Sequence, residues 1–189
     1  NLTSTDTGFY DPDELGAGIP FYIKHLNQFE SAVAGTGNFN PFLRLNGSTT
    51  LRGFNTDENI APNTQTTFQL NMVNPDTDAL RLGDIPIVYL DLNGDGALEA
   101  YYQLNLDINE SKTTSEVSLE ELQIFTSTTQ ATLANYRIDD GDLLAFRQSD
   151  GFTLHFDLDA TGDNKLILRD DGAGSGSDDY VFYIPTSVF

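Results

Sequence analysis

An alternation of apolar and polar residues, repeated in short runs between polar turns, most limits what this sequence can fold into. Residues 152–159 place a phenylalanine or leucine at every second position, and residues 66–73 show the same period. Successive side chains of a β-strand point to opposite faces, so this period predicts strands with one buried face. The pattern predicts strands at 66–73, 85–92, 98–106, 152–159, 165–170 and 179–185, with 42–47 and 143–148 as weaker additions.

Glycine, asparagine and aspartate cluster between these runs, as they do in the turns of antiparallel sheets. The pattern predicts an all-β protein with an antiparallel β-sandwich or jelly-roll-like fold. One or two short helices are also expected. Ser118 followed by Glu121 forms a capping-box pattern that predicts a helix at 118–122. Residues 19–35 have apolar residues at helical spacing, which favours a helix over 25–34, although residues 19–26 also suit a strand.

The chain of 189 residues is long enough for a substantial core, and we expect a single domain over residues 19–189. Residues 1–18 show neither period and are predicted to form an extended N-terminal arm. This arm is either a flexible leader or a strand that adds to the sheet of a neighbouring subunit. The start at Asn1 is expected to be a mature or trimmed terminus.

The charge of the chain is strongly negative, with 29 acidic and nine basic residues and a formal net charge of −20. Nucleic-acid binding is disfavoured because the acidic residues would repel phosphates. No apolar run reaches membrane-spanning length. The excess of acidic residues could be explained by a halophilic surface, by an acidic tail or by cation binding. Aspartate outnumbers glutamate and lies beside glycine and asparagine in loops, which favours calcium. The chain has no cysteine, so bound calcium would replace disulfides as a source of stability.

The turn at residues 91–99 is the strongest candidate metal site. Asp91, Asn93 and Asp95 alternate along it, Gly96 permits a sharp bend, and Glu99 follows. A calcium ion needs several oxygen ligands from a loop that curls around it. An EF-hand would place its closing glutamate at position 102, which is a tyrosine here. The alternative is an Asn-Gly or Asp-Gly hairpin turn without metal.

These nine residues resemble the D-x-[DN]-x-[DN]-G-x-x-[DE] calcium turns of strand–loop–strand type that occur in FG-GAP repeats of integrin-like propellers. The resemblance implies a set of ligands and no overall fold. It implies side-chain ligands at Asp91, Asn93, Asp95 and Glu99, and a carbonyl ligand at Ala97.

Residues 157–165 form a second candidate calcium loop. Asp157, Asp159 and Asp163 could converge there around a bend at Gly162. The spacing departs from the first loop because Thr161 stands where the first loop has an acid. The loop is therefore either a second calcium site or an ordinary polar turn.

Signals for catalysis are weak, and we expect no enzymatic activity. The two histidines, His25 and His155, lack a recognisable nucleophile motif, and His155 is predicted to be a surface residue on a strand. A calcium-dependent hydrolase with paired carboxylates stays open as a third hypothesis, because an acidic chain always offers such pairs.

In its composition the chain is similar to secreted bacterial surface modules of adhesins, surface layers and extracellular fibrils. We therefore expect an extracellular, cell-surface structural protein: a calcium-stabilised subunit that forms a homo-oligomer or polymer as a filament or matrix. The alternative is a calcium-dependent adhesin module that binds a sugar or peptide, with Tyr101 or Tyr102 exposed beside the first loop. Glycosylation at Asn1, Asn46 or Asn109 stays open.

Overall fold

A computed structural model of the protein describes residues 9–10, 21–26, 42–46, 50–60, 72, 77–108, 116–137, 144–160, 163–170 and 178–189. The strands within these ranges are β1 (Phe9–Tyr10), β2 (Tyr22–His25), β3 (Ile87–Leu90), β4 (Glu99–Leu106), β5 (Glu116–Leu119), β6 (Gln123–Ser127), β7 (Phe152–Asp157), β8 (Leu166–Arg169) and β9 (Tyr180–Pro185). Short 3-10 turns occupy Leu82–Asp84, Gln148–Asp150 and Thr186–Val188, and the described ranges contain no α-helix.

The largest sheet has five strands in the order β1-β2-β9-β4-β3, and each neighbouring pair is antiparallel. Strand β5 pairs antiparallel with β8, and β6 pairs with β7. The predicted antiparallel all-β class is therefore confirmed. Its finer arrangement as a sandwich or jelly roll stays a prediction.

The chain divides into two compact units, and neither is a continuous piece of sequence. Unit 1 contains residues 1–39, 85–124 and 155–189, and unit 2 contains residues 40–84 and 125–154. The division therefore does not cut the sequence into consecutive domains, and the single domain at 19–189 stays a prediction. Within the predicted arm at 1–18, the structure describes only β1.

The core of unit 1 lies on one face of the five-stranded sheet. Phe182 and Ile184 of β9 are buried there, and in the sheet they lie opposite Leu104 and Tyr102 of β4. The other buried members of this core come from β2, β7, β8, the start of β9 and flanking residues, and they are Phe21, Ile23, Ile108, Phe156, Leu158, Leu166, Leu168 and Tyr180.

The opposite face of the same sheet is also covered in its middle. Tyr22 of β2, Tyr101 of β4 and Val181 of β9 are all buried, and the rings of Tyr22 and Tyr101 meet edge to face at 5.7 Å. Burial on both faces explains why β9 is apolar at nearly every position rather than at alternate ones.

Unit 2 has a separate, aromatic core. Phe54 stacks on Tyr136 at 4.8 Å, and Phe146 stacks on Phe152 at 4.6 Å. Ile60 and Met72 complete the buried cluster. Thr56 lies fully buried and is satisfied by donating its hydroxyl hydrogen to the carbonyl oxygen of Ala131 at 2.6 Å. Stacked aromatic rings and the hydrogen-bonded hydroxyl of Thr56 therefore stabilise this core.

The predicted helix at 118–122 is wrong. Ser118 and Leu119 belong to β5, where Val117 lies opposite Leu168 and Leu119 opposite Leu166. Burying two apolar side chains against β8 outweighs a capping signal worth about 1 kcal/mol.

Three further sequence predictions have other outcomes. Residues 144–150 contain bends and a 3-10 turn and no strand, so the weak strand at 143–148 is also wrong in its described part. In the region with two possible structures, His25 is the last residue of β2, and residues 27–34 lie outside the described residues. Most of the predicted strand at 66–73 also lies outside them, and Met72 forms an isolated bridge with Leu45.

Candidate cation-binding loops

The β3–β4 hairpin ends in a loop that is folded by its own polar side chains. The two carboxylate oxygens of Asp91 accept hydrogen bonds from the backbone N–H groups of Gly94 at 2.8 Å and Gly96 at 3.0 Å. Asn93 Oδ1 accepts from the N–H of Asp95 at 3.1 Å, and Asp95 Oδ1 accepts from that of Ala97 at 2.7 Å. The loop backbone therefore curls around the side-chain oxygens of Asp91, Asn93 and Asp95.

Two glycines make this curl possible. Gly94 has φ 75° and Gly96 has φ 88°, both in the left-handed region. Other residues reach this region only at a cost in energy, so both positions favour glycine. The sequence interpretation recognised Gly96 and overlooked Gly94.

Glu99, the acid expected to close the loop, is engaged elsewhere. Its Oε2 accepts a hydrogen bond from the hydroxyl of Tyr101 at 2.6 Å. Tyr101 is fully buried, and this burial, followed by the hydrogen bond and charge of Glu99, raises the pKa of its hydroxyl. Because a carboxylate oxygen has two lone pairs, the loop oxygens keep acceptor capacity beyond these bonds.

The second loop shows a similar self-bonded arrangement. Asp157 accepts from the N–H of Asp159 at 2.9 Å, and its other oxygen accepts from the side-chain amide of Gln123 at 3.3 Å. Asp159 accepts from the N–H of Asn164 at 2.8 Å. Asp163 is exposed, while residues 161–162 lie outside the described residues. The structure thus brings Asp157 and Asp159 together through the loop backbone.

Glu121 is a third acid at this second loop, and the sequence interpretation missed it. Partial burial raises the pKa of Glu121 to about 7, and the charges of Asp157 and Asp159 and hydrogen bonds with them act in the same direction. Glu121 lies about 36 residues before these aspartates, so no local spacing could reveal the contact. We name Glu121, Asp157 and Asp159 the acidic triad.

Asp157 and Asp159 lie close enough to Glu121 to raise its pKa, but the described acids do not form a complete set of metal ligands. In the described ranges no group of three or more His, Cys, Asp or Glu side chains is placed to hold a metal ion. Each loop as it stands is therefore organised by hydrogen bonds from its backbone and amide N–H groups. Whether either loop binds calcium stays a prediction.

A further acidic pair, Asp178 and Asp179, joins the end of β4 to the start of β9. Asp179 is buried and accepts from the backbone N–H of Ile108 at 2.7 Å. The side-chain amide of Asn105 donates to Asp178, and this bond partly offsets the burial that raises the pKa of Asp178. Both aspartates therefore support the sheet.

The histidines take structural positions. His25 is buried against the ring of Tyr180, with the ring centres 4.9 Å apart. His155, expected at the surface, is half-buried. Its Nδ1 is hydrogen-bonded to the carbonyl oxygen of Val188 at 2.8 Å, and its ring centre lies 4.8 Å from that of Phe189. His155 thus fastens the 3-10 turn after β9.

The exposed aromatic residue beside the first loop is Tyr89 of β3. Tyr101 is fully buried, and Tyr102 is half-buried with its ring 5.4 Å from that of Phe189. Tyr89 is exposed together with Ile87 and Leu98. The sequence of β3 does not identify this face as open, because Ile-Val-Tyr-Leu offers apolar or aromatic residues to both faces.

No protein-family model, curated protein or solved structure matches the chain. Among the described residues, no helix has the length and apolar character that crossing a membrane would require.

Proposed function

We propose that this protein is an extracellular structural subunit that assembles with copies of itself into a surface filament or matrix and is stabilised by calcium. The observation that carries the proposal is the position of β1. Part of the N-terminal arm already serves as an edge strand of a sheet, which is the contact that strand addition between subunits requires.

Strand β1 is well suited to exchange between copies. It pairs with β2 over two residues, Phe9 opposite Lys24 and Tyr10 opposite Ile23. So short a ladder has few backbone hydrogen bonds to lose, and the same bonds form again when the arm of a neighbour takes its place. Exchange of an identical element between subunits is a low-cost route to assembly. If the exchange runs from copy to copy, it produces a polymer.

The oxygen ligands that the two loops offer support the calcium part of the proposal. Both loops offer oxygen atoms alone, which are the donors that calcium prefers. In the first loop Asp91, Asn93, Asp95, Ala97 and Glu99 would hold the ion. In the second, Asp157, Asp159 and Asp163 would do so with help from Glu121. A bound ion would neutralise carboxylates that repel each other, and this would stabilise the folded state.

A cysteine pair tests the exchange of β1. The chain has no cysteine of its own, so Phe9→Cys combined with Lys24→Cys introduces one defined pair. Directly opposed Cα atoms of antiparallel strands lie about 4.5–5.5 Å apart, within disulfide reach. We expect oxidation of assembled protein to give a ladder of covalent oligomers on non-reducing gels.

The control for this experiment is the single variant Phe9→Cys, which can link no more than two chains. Oxidised assemblies of the double variant that run only as monomers would show that β1 stays on its own sheet, and they would refute the exchange. Electron microscopy of protein lacking residues 1–18 gives an independent readout, because we expect the truncated chain to form no filaments.

Melting curves with calcium and with chelator test the ion separately. We expect calcium to raise the midpoint, and we expect Asp91→Asn and Asp157→Asn each to reduce that rise. Asp84→Asn is the matched control, because Asp84 is an exposed acid outside both loops. An equal midpoint in calcium and chelator would remove calcium from the proposal without touching the exchange of β1.

The second candidate function is that of an adhesin module that binds a sugar or peptide ligand. The exposure of Tyr89 next to the first loop favours it, since exposed aromatic rings stack on sugars and peptide side chains. A glycan array probed with the protein and with Tyr89→Ala tests the sugar form. Binding that requires calcium and is lost in the variant would support this candidate.

A further inference from the structure

Apart from its short length, strand β3 shows none of the usual protection of a sheet edge among the described residues. It ends the five-stranded sheet on the side away from β1, and no other described strand pairs with its outer side. Its sequence, Ile-Val-Tyr-Leu, contains no charge and no proline. Natural edge strands are commonly shielded by charged residues, prolines, bulges or covering loops, because free N–H and C=O groups invite pairing.

The exposed side chains beside this edge form one apolar strip. Ile87 is 48% exposed, Tyr89 66% and Leu98 69%. Ile87 lies opposite Tyr102 and Tyr89 opposite Ala100, so they share a face, and alternation along the chain places Leu98 on it too. We name Ile87, Tyr89 and Leu98 the β3 strip.

The β3 strip continues the face of the sheet that carries the core of unit 1. Tyr102, opposite Ile87, is itself opposite Ile184 of that core. The core face is therefore covered at β9 and open at β3. A strand added beside β3 would extend the sheet and cover these side chains with its own alternate residues.

The charge around β3 indicates which kind of strand fits. Asp91, Asp95 and Glu99 are all exposed at the end of β3 where the hairpin loop begins. A second copy of β3 pairing antiparallel would bring Asp84 of one chain toward Asp91 of the other. Like charges on opposed strands are destabilising. A basic partner gains attraction where a second copy meets repulsion.

We propose that the outer edge of β3 binds an extended peptide segment of another protein, antiparallel to β3, with alternate apolar residues and with lysine or arginine at its N-terminal end. In this direction the N-terminal end of the partner lies beside Leu90 and meets the acids of the hairpin loop. Its apolar residues cover the β3 strip. The site is separate from the self-assembly proposed above, and it needs neither calcium nor exchange of β1.

Fluorescence anisotropy with a labelled peptide tests this directly. The probe is a short peptide in which lysines precede alternating valine and threonine, and the comparison peptides carry glutamates in place of the lysines or carry the lysines at the C-terminal end. Chelator in the buffer keeps the loop carboxylates free of divalent ions. We expect the first peptide to bind at least about tenfold more tightly than either comparison peptide.

Two variants locate the binding. Tyr89→Lys places a charge in the β3 strip and should weaken binding at least about tenfold, as loss of a central aromatic contact does. Leu144→Lys is the matched control, because Leu144 is an exposed apolar residue outside the strip and should leave binding unchanged. Circular dichroism and melting curves of both variants establish that they fold like the parent chain.

The dependence of binding on salt concentration measures the electrostatic contribution to the affinity. Raising sodium chloride from about 0.05 M to about 0.5 M should weaken binding of the lysine peptide and bring its affinity close to that of the glutamate peptide. The proposal is overturned if all peptides bind equally, if none binds, or if a folded Tyr89→Lys protein binds as the parent does. Sedimentation that shows a dimer lost in Tyr89→Lys would also overturn it, because the occupant would then be a second copy.

Discussion

Replacing Glu121 by glutamine should stabilise the protein at neutral pH. The pKa of Glu121 is raised from its ordinary 4.5 to about 7 by partial burial and by Asp157 and Asp159. Below pH 4.5 the carboxyl is protonated in the folded and unfolded chains alike, and its contribution to stability is complete. Between pH 4.5 and about 7 the unfolded chain releases the proton first, so the free energy of unfolding falls as pH rises.

The size of this effect is limited by exposure. The difference between 4.5 and about 7 corresponds to at most about 3 kcal/mol. Glu121 is only partly buried and keeps much of its contact with water, so solvent screening reduces the realised loss to about 1 kcal/mol. Glutamine keeps the shape and a hydrogen-bond donor, as the protonated acid does. We therefore expect Glu121→Gln to gain about 1 kcal/mol near pH 8 and almost nothing near pH 4.5.

Urea unfolding in chelator at both pH values measures this difference, and melting curves should show a rise of about 2–4 °C near pH 8. Glu120→Gln is the matched control, since Glu120 is the adjacent exposed acid and accepts a hydrogen bond from Ser118 at 3.3 Å. The reasoning is refuted if Glu121→Gln changes stability equally at both pH values, or if Glu120→Gln reproduces its effect.

Three further substitutions test the packing and the turns. Phe156→Ala removes a buried ring that stacks on Phe21 at 4.6 Å and should cost about 3–5 kcal/mol in urea unfolding; a loss below about 1 kcal/mol would contradict the core assignment. Thr56→Val leaves the Ala131 carbonyl and the Glu58 N–H, which lies 3.0 Å from Thr56 Oγ1, without their partner and should cost about 1–3 kcal/mol by the same assay. Gly96→Ala should lower the free energy of unfolding by about 1 kcal/mol because φ is 88°. The control Gly83→Ala should be close to neutral, because an added methyl group there meets open space and φ is not left-handed. Equal losses of stability by calorimetry would count against strain at Gly96.

The strands that the sequence predicts best are short apolar runs, alternating or continuous, that are bounded by polar turns. Predicted runs 85–92 and 98–106 contain β3 and β4, and runs 152–159, 165–170 and 179–185 contain β7, β8 and β9. Strand β5 was hidden because Ser118 and Glu121 imitate a helix start over a region in which only Val117 and Leu119 alternate. A capping signal worth about 1 kcal/mol is overridden once a partner strand buries the apolar side chains. The local sequence does not reveal this partner, because β8 is distant in the chain.

The candidate sites also differ in how far the local sequence predicts them. The first loop is local, so its curl, its aspartates and its glycine bend are readable from nine consecutive residues. The acidic triad and the β3 strip depend on which distant strands pair. The engagement of Glu99 by Tyr101 was also out of reach, because it depends on a buried tyrosine whose face is set by packing against Tyr22.

The two proposed partners use opposite edges of one sheet, and this separates their tests. Strands β9 and β4 lie between those edges and β9 is buried on both faces, so a strand can join at β2 or at β3 without disturbing the centre. We therefore expect Tyr89→Lys to leave the covalent ladder of the cysteine pair intact. We also expect oxidised monomers of that pair to bind the lysine peptide as the parent chain does. If either change abolishes the other activity in a folded protein, the two edges are coupled through the sheet, and the independence of the two sites is wrong.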